Sequence, residues 1–267
     1  MQANTLDDVI QTLDSIIDAA RAAQDRVGYF AALYRRVTAA VKEGVAANAF
    51  ENGPRMELLA ITFANRYFAA FSAYRAGQAL TDAWKVSFQA TASASPMLLQ
   101  HLLLGMNAHI NLDLGIAAAT VSIQGNLEDL KTDFYKINMV LASLSGTCID
   151  EFGKIWPVIH WANSMLDKPE EIMADYQIDQ ARTYAWSIAQ HFGSVPQQSW
   201  SGEITTQDKL VGDWGRSIYR PGFLLDIVAW LFNLTNRRTV ADTIDILQEK
   251  TAAVAIQVQA GDNIKVT

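Results

Sequence analysis

Apolar residues recur every three to four positions along most of the chain, which is the period of an amphipathic helix. In residues 5–24 this stripe runs through Leu6, Val9, Leu13 and Ile17. The same period continues in further stretches, about 26–47, 55–76, 127–145, 168–191, 223–234 and 238–256. No segment shows a convincing strand ladder, and no internal repeat occurs at a fixed period. The pattern therefore predicts an all-α protein in which roughly ten helices form a single domain over residues 1–267.

The segment at about 96–113 is apolar around nearly its whole circumference. A helix of this kind is a buried one, so we expect the other helices to pack around it. Ser95 and Pro96 suit its start, with a hydroxyl at the N-cap and proline at the first position. We expect the helix to break around Asp113–Gly115. Its polar residues need partners or a cavity, because an unpaired buried polar group costs about 1–3 kcal/mol.

Two of these polar residues, His109 and Asp113, lie four positions apart and therefore share one face of the helix. The spacing suits a shared divalent metal ion, and it equally suits an Asp113 carboxylate that orients the His109 ring. A third interpretation, a hydrogen-bonded core pair, stays open beside these. His101 lies about 12 Å further along the axis, too far to share an ion with His109. We favour a core position with satisfied hydrogen bonds for His101.

Further polar side chains near the central helix are candidates for binding the polar atoms of a substrate. They are Asn107, Asn111 and His101 on the central helix, Tyr67 and Arg66 on the third helix, and Asn138 on the next predicted helix. Arg66 has two interpretations. A surface charge is the commoner position for arginine, and a buried partner for a carboxylate such as Asp113 is the alternative.

Residues 193–222 differ from the rest of the chain because glycine and proline interrupt the helical pattern. The interrupting residues are Gly193, Pro196, Gly202, Gly212, Gly215, Pro221 and Gly222. A long connection of this type is usually functional or disordered. Trp200 and Trp214 favour order, so we predict a flap that covers a site beside the central helix.

Composition narrows the function classes. The 267 residues are 50% hydrophobic and 18% charged with a net charge of −7, which is a globular composition without a basic stripe for nucleic acid. The single Cys148 excludes an internal disulfide and a multi-cysteine zinc site. The N-terminus lacks the pattern of a signal peptide, and the longest apolar runs are too short or interrupted to cross a bilayer. We therefore expect a soluble, cytoplasmic protein without a transmembrane segment.

Several motifs together resemble the uncharacterised family called domain of unknown function 5995. They are FAALYRRVT (30–38), FANRYFAAF (63–71), the Trp84 region, QHLLLGMNAHINLDLGIA (100–117) and DFYKIN (133–138). The resemblance covers most of the chain and implies a soluble helical protein without a settled activity.

A weaker similarity is to the all-α zinc phospholipase C and nuclease group, which carries a His-x-x-x-Asp pair on a helix. That group also needs further histidine and aspartate ligands and a metal-binding N-terminal tryptophan. This chain begins Met-Gln and has four histidines, which argues against a trinuclear zinc site and leaves a mononuclear one open.

These observations favour an enzyme that acts on a small, largely apolar molecule, with His109 as general base or metal ligand and Asp113 as its orienting partner. Metal-assisted hydrolysis and metal-free proton transfer of the isomerase, cyclase or lyase type both fit the sequence. A ligand-binding protein without chemistry is one alternative, and a polar network that only fixes helix register is another. The roles of His160 and His191 and the oligomeric state do not follow from the sequence.

Overall fold

The computed structural model describes residues 1–123, 125–137, 178–220 and 238–248. Within these ranges the chain is helical and contains no strand, which confirms the all-α, multi-helix prediction. Residues 131–137 are helical as well. The helices are α1 (Leu6–Ala23), α2 (Val27–Ala46), α3 (Gly53–Arg75), α4 (Asp82–Thr91), α5 (Leu98–Ala108), a π-helical segment (His109–Leu114), α6 (Gly115–Val121), α7 (Ile178–Ser194), α8 (Trp200–Tyr219) and α9 (Val240–Gln248), with short 3-10 helices at Leu127–Leu130 and Gln197–Ser199.

Local side chains set the ends of the first helices. At α1, the Thr5 hydroxyl accepts from the Asp8 backbone N–H at 3.1 Å and the Asp8 carboxylate accepts from the Thr5 N–H at 3.0 Å. This reciprocal arrangement is a capping box. At α3, the Asn52 side chain accepts from the Arg55 N–H at 3.0 Å, and Pro54 lies in the first turn. These ends follow from residues within three positions of each other, so they could be read from the sequence.

The central helix is continuous from Leu98 to Val121 and passes through the π-helical segment. It begins two residues later than predicted, where Gln100 Oε1 accepts from the Met97 N–H at 2.9 Å. The predicted break at Asp113–Gly115 is wrong, because the helix continues there. Gly115 keeps ordinary helical dihedrals, and a Cβ at this position would lie 2.6 Å from the carbonyl oxygen of Ala185 on α7. The glycine therefore permits a close helix contact and does not end the helix.

The Leu98–Val121 stretch is long and apolar enough to cross a membrane by length and composition alone. Within the protein, however, 94% of its apolar window is buried by other helices. The helices α2, α3 and α4 pack against the central helix, as do α7 and α8. Its place in the core, which the sequence analysis expected, therefore accounts for its apolar character. The expectation that the longest apolar runs are too short to cross a bilayer is wrong for this stretch.

The predicted flap at 193–222 is wrong for most of its length, because Trp200–Tyr219 forms helix α8. Two of its glycines lie where α8 meets its neighbours. A Cβ at Gly212 would lie 2.8 Å from Asp82 Cβ, and one at Gly215 would lie 3.3 Å from Asn107 Nδ2. A glycine weakens a helix by about 1 kcal/mol relative to alanine. Here it lets α8 approach α4 and α5 closely, and that packing offsets the lower propensity.

Two buried carboxylates hold the N-terminal ends of α3 and α4 from a distance in sequence. Asp133 accepts from the backbone N–H groups of Glu51 and Asn52 at 2.7 and 2.8 Å. Asp208 accepts from those of Asp82 and Ala83 at 2.6 and 2.9 Å. Helix N-termini carry unpaired N–H groups and a partial positive charge. Each carboxylate therefore accepts hydrogen bonds from these N–H groups and offsets this charge. Two of the helices that contact His109, α3 and α4, are thus anchored at their starts.

Candidate functional site

The carboxylate of Asp113 is the centre of a buried polar cluster. Its Oδ1 accepts from Arg66 Nε at 2.7 Å, and its Oδ2 accepts from Trp84 Nε1 at 2.9 Å. His109 Nδ1 lies 3.4 Å from the same Oδ2. The donors come from α3, α4 and the π-helical segment, so three elements converge on one carboxylate. Of the two interpretations of Arg66, the buried carboxylate partner is the correct one, although 28% of its side chain stays exposed.

Electrostatics assign the protonation states of this cluster. Burial alone raises the pKa of Asp113, but the Arg66 guanidinium and the hydrogen bonds from His109 and Trp84 outweigh it and hold that pKa below its usual value. Burial lowers the pKa of His109 by more than the neighbouring Asp113 raises it. At neutral pH the aspartate is therefore ionised and the histidine neutral.

These states also assign the tautomer of His109. An ionised carboxylate only accepts hydrogen bonds, so the proton of the His109 ring belongs on Nδ1, facing Asp113. The other ring nitrogen, Nε2, then carries a lone pair. Nε2 is buried and has no hydrogen-bond partner in the described part of the chain. The arrangement is that of an oriented base whose basic nitrogen is not engaged.

Five aromatic side chains surround the imidazole, and we call them the aromatic cage: Phe30, Tyr34, Phe63, Tyr67 and Trp84. The Phe63 ring stacks on His109 with a centroid distance of 3.5 Å and an interplanar angle of 7°. Tyr34 meets the imidazole edge-on at 4.6 Å. A water-poor aromatic environment strengthens the electrostatic contacts of the cluster, because they are not screened by solvent.

The predicted pocket beside the central helix is closed in this structure. The His109 side chain is 3% exposed, and Phe63 covers the face of its ring. Phe63 and Arg66 lie one turn apart on α3, and both are partly exposed, so together they separate the cluster from solvent. A surface cleft of about 490 Å³ lies elsewhere, at the C-terminal end of α6, and is lined by residues such as Ser122, Leu127, Phe192 and Trp200.

Asn107 and Asn111, predicted to bind substrate with His109, lie on another face of the central helix. Asn107 Nδ2 donates to the carbonyl oxygen of Val211 at 2.9 Å, and Asn111 Nδ2 donates to Asn107 Oδ1 at 2.9 Å. A residue two positions from His109 lies on roughly the opposite side of the helix. The Asn107 amide therefore binds α8, the Asn111 amide supports Asn107, and the structure does not bring either of them to His109.

Of the remaining predicted site residues, Tyr67 lies beside His109 and His101 does not. Tyr67 belongs to the aromatic cage, and its buried hydroxyl has no partner among the described residues. His101 is buried, as predicted, with its ring 5.7 Å from that of Tyr29. The predicted hydrogen bonds of His101 are wrong, because neither ring nitrogen has a partner in the described ranges. Burial lowers the pKa of His101 to about 3.

One further residue named in the sequence analysis, His191, does not belong to this site, and the others lie outside the described residues. His191 lies on the surface, where its Nε2 is 3.0 Å from a carboxylate oxygen of Glu203. Asn138, Cys148 and His160 lie outside the described residues, as do most of the predicted helices between 138 and 177 and from 221 to 237.

The residues around His109 do not fit a divalent metal ion. Both carboxylate oxygens of Asp113 already accept from N–H donors, and the cationic Arg66 guanidinium lies at one of them. A metal ion would have to displace that cation or share the carboxylate with it. In the described ranges, no group of three or more histidine, cysteine, aspartate or glutamate side chains is arranged to hold a metal.

Sequence reasoning missed four site residues, all members of the aromatic cage: Phe30, Tyr34, Phe63 and Trp84. A buried tryptophan usually finds an acceptor for its indole N–H, so a buried Trp84 in a short apolar helix implies a polar partner. The identity of that partner, Asp113, depends on how α4 packs. Phe63 precedes Arg66 by one helical turn, which places both on one face of α3, but nothing in the sequence directs that face to His109.

The fold and the site together define a helical protein with a histidine–carboxylate–arginine cluster enclosed by aromatic rings. A family model described as a family of unknown function, DUF5995, matches residues 6–221. The chain therefore belongs to this family, which confirms the resemblance found in the sequence. No curated protein matches the chain. No solved structure matches it either, and the weaker similarity to the zinc phospholipase C group stays unconfirmed.

Proposed function

We propose that this protein is an enzyme that moves a proton on a small, largely apolar molecule, with His109 as the general base. The observation that carries the proposal is the unengaged Nε2 of a neutral histidine whose Nδ1 faces an ionised carboxylate. A base needs a free lone pair, and a ring held by a carboxylate keeps one tautomer and one orientation.

Each member of the cluster has a distinct role in such a step. His109 Nε2 takes the proton from a C–H, N–H or O–H group of the substrate and returns it to the product. Asp113 stabilises the imidazolium that forms between the two transfers. Arg66 and Trp84 keep Asp113 ionised and in place through hydrogen bonds of 2.7 and 2.9 Å. The aromatic cage keeps water from competing for the proton.

The N–H donors that already bind Asp113 favour the metal-free reaction class over metal-assisted hydrolysis. Isomerases, cyclases and lyases that abstract a proton need an oriented base and a dry site, and this cluster supplies both. The substrate must be small and mostly apolar, because the space around His109 is bounded by aromatic side chains. Entry requires Phe63 to move, since its ring covers the imidazole.

Nitrogen NMR of the histidine rings tests the proposal without knowledge of the substrate. We expect His109 to be neutral at pH 7 with its proton on Nδ1. A His109 ring protonated on Nε2 would have no free lone pair there, and the proposal would then fail.

Deuterium exchange gives the matching test of activity. The protein is incubated in D₂O with small cyclic and aromatic ketones, and loss of the proton signal next to the carbonyl is followed by NMR. We expect His109→Gln to lower the catalysed exchange by at least about a hundredfold, the usual contribution of a general base. His101→Gln is the matched control, because His101 is also a buried histidine on this helix but has no carboxylate partner. Equal loss in both variants would contradict the assignment.

A further inference from the structure

We infer that the ligand of this site is a planar aromatic ring that bears one anionic group, such as a carboxylate, and that its ring takes the place of the Phe63 ring. The inference rests on the proposed function only for the location of the site. It concerns what binds, and it can be tested by equilibrium binding without any turnover.

The stack between Phe63 and His109 identifies the ring. The structure already accommodates a phenyl ring parallel to the imidazole, at 3.5 Å and 7°. The Tyr34 ring is roughly perpendicular to both rings, at centroid distances of 4.6 Å from His109 and 5.9 Å from Phe63. A ligand ring of the same shape would recover these contacts after Phe63 rotates outward. A saturated ring would recover fewer of them, because stacking and edge-on contacts need a flat π-system.

Arg66 identifies the anionic group. Its Nε is bound to Asp113, and no other acceptor for its guanidinium occurs in the described part of the chain. Its side chain is partly exposed and lies one helical turn after Phe63, on the same side of α3. A guanidinium with free N–H groups binds a carboxylate through paired, charge-assisted hydrogen bonds. The remaining N–H donors of Arg66 thus complement an anionic group on a ligand ring that lies in the position of the Phe63 ring, which we call the ring slot.

Phe63 is half-buried, which makes its displacement compatible with the fold. It is the cage residue that lies nearest to solvent, since Tyr34, Tyr67 and Trp84 are all buried. It also lies one helical turn before Arg66, so a ligand ring in its place would share the face of α3 that carries the guanidinium.

The test uses three probes and calorimetry on the full chain. Benzoate carries both features, cyclohexanecarboxylate carries the charge without the planar ring, and benzyl alcohol carries the ring without the charge. We expect benzoate to bind at least about tenfold more tightly than either of the others, which corresponds to about 1.4 kcal/mol. Equal binding of benzoate and cyclohexanecarboxylate would overturn the planar ring, and equal binding of benzoate and benzyl alcohol would overturn the anionic group. Absence of benzoate binding would overturn the inference as a whole.

Two pairs of variants locate the site. Phe63→Ala should tighten benzoate binding because it vacates the slot, whereas Leu58→Ala, at a 51% exposed position of the same helix, should leave it unchanged. Arg66→Lys keeps a positive charge beside Asp113 but removes the additional N–H donors, so it should weaken benzoate and leave benzyl alcohol unaffected. Arg55→Lys is its control, eleven positions earlier on α3. Unchanged affinity in Phe63→Ala would contradict the slot even if Arg66→Lys failed to fold.

The binding and exchange experiments fail independently. Benzoate binding that depends on Phe63 and Arg66, without any catalysed exchange, would support the ligand class and contradict the proposed chemistry. Exchange that depends on His109, without benzoate binding, would do the reverse.

Discussion

Arg66 Nε lies 2.7 Å from Asp113 Oδ1, although the two residues are 47 positions apart and belong to different helices. The aspartate is almost completely buried, whereas the arginine reaches the surface. A buried carboxylate without a countercharge would be strongly unfavourable, so this contact is what allows an ionised aspartate in the core. It links the position of α3 to the protonation state of the central histidine.

Removing Arg66 should therefore destabilise the protein. Arg66→Met leaves the Asp113 charge buried and unpaired, and we expect a loss of about 3–5 kcal/mol in the free energy of unfolding. Arg66→Met combined with Asp113→Leu should be less destabilising than the sum of the single changes, because no unpaired charge remains. Urea denaturation of the three variants measures the coupling. Additive effects would contradict a direct pairing.

Asp113→Asn separates a functional role from a purely structural one. The amide can still accept from one donor, but its NH₂ group faces N–H donors where the carboxylate accepted them. We expect the catalysed deuterium exchange to be lost and the His109 ring to leave its Nδ1–H tautomer. If the cluster only stabilises the fold, the variant should lose about 1–3 kcal/mol of stability, and the wild type should show no catalysed exchange to lose. Melting temperature, NMR and exchange rates distinguish these outcomes.

The buried histidines make the protein sensitive to mild acid. The pKa of His101 is lowered to about 3, and burial lowers that of His109, from an ordinary value of 6.5. The unfolded chain therefore takes up protons below pH 6.5 that the folded chain does not. Stability must fall as the pH drops from 6.5, and for His101 the fall continues to about pH 3.

His101→Phe isolates one of these contributions. One histidine that is protonated only in the unfolded chain lowers the free energy of unfolding by about 1.4 kcal/mol for each pH unit. Between pH 6 and 5 the variant should therefore lose about that much less stability than the wild type. Unfolding free energies in urea at several pH values give both slopes. Parallel pH profiles for the two proteins would contradict the neutral, buried state of His101.

The glycines of α8 should respond to alanine in opposite directions. At Gly212 a new Cβ would meet the Asp82 Cβ at 2.8 Å, so Gly212→Ala should cost about 1–3 kcal/mol through overpacking. At Gly202 no atom lies within 4 Å of the new Cβ, so Gly202→Ala should stabilise the helix by up to about 1 kcal/mol. Thermal unfolding of both variants checks the pair. Stabilisation in both would mean that α8 does not pack closely on α4.

The sequence alone determined the elements that depend on local patterns. Apolar periodicity predicted most of the described helices, with α8 as an exception, and a nearly all-apolar circumference predicted that the central helix is buried. The pairing of His109 with Asp113 also followed, because residues four apart on a helix must share a face. Family membership, too, could be recognised from motifs such as FANRYFAAF and GMNAHINLDLG.

Only the tertiary structure decided the surroundings of that pair. It selected the buried alternative for Arg66, brought Phe63 and Trp84 to His109, and bound Asn107 to α8. It also revealed that glycines in 200–219, which looked like loop residues, are contact points inside a helix. The physical reason is common to all these cases. A helix period tells which residues share a face, but which helix covers that face, and how closely, depends on packing between segments that are distant in sequence.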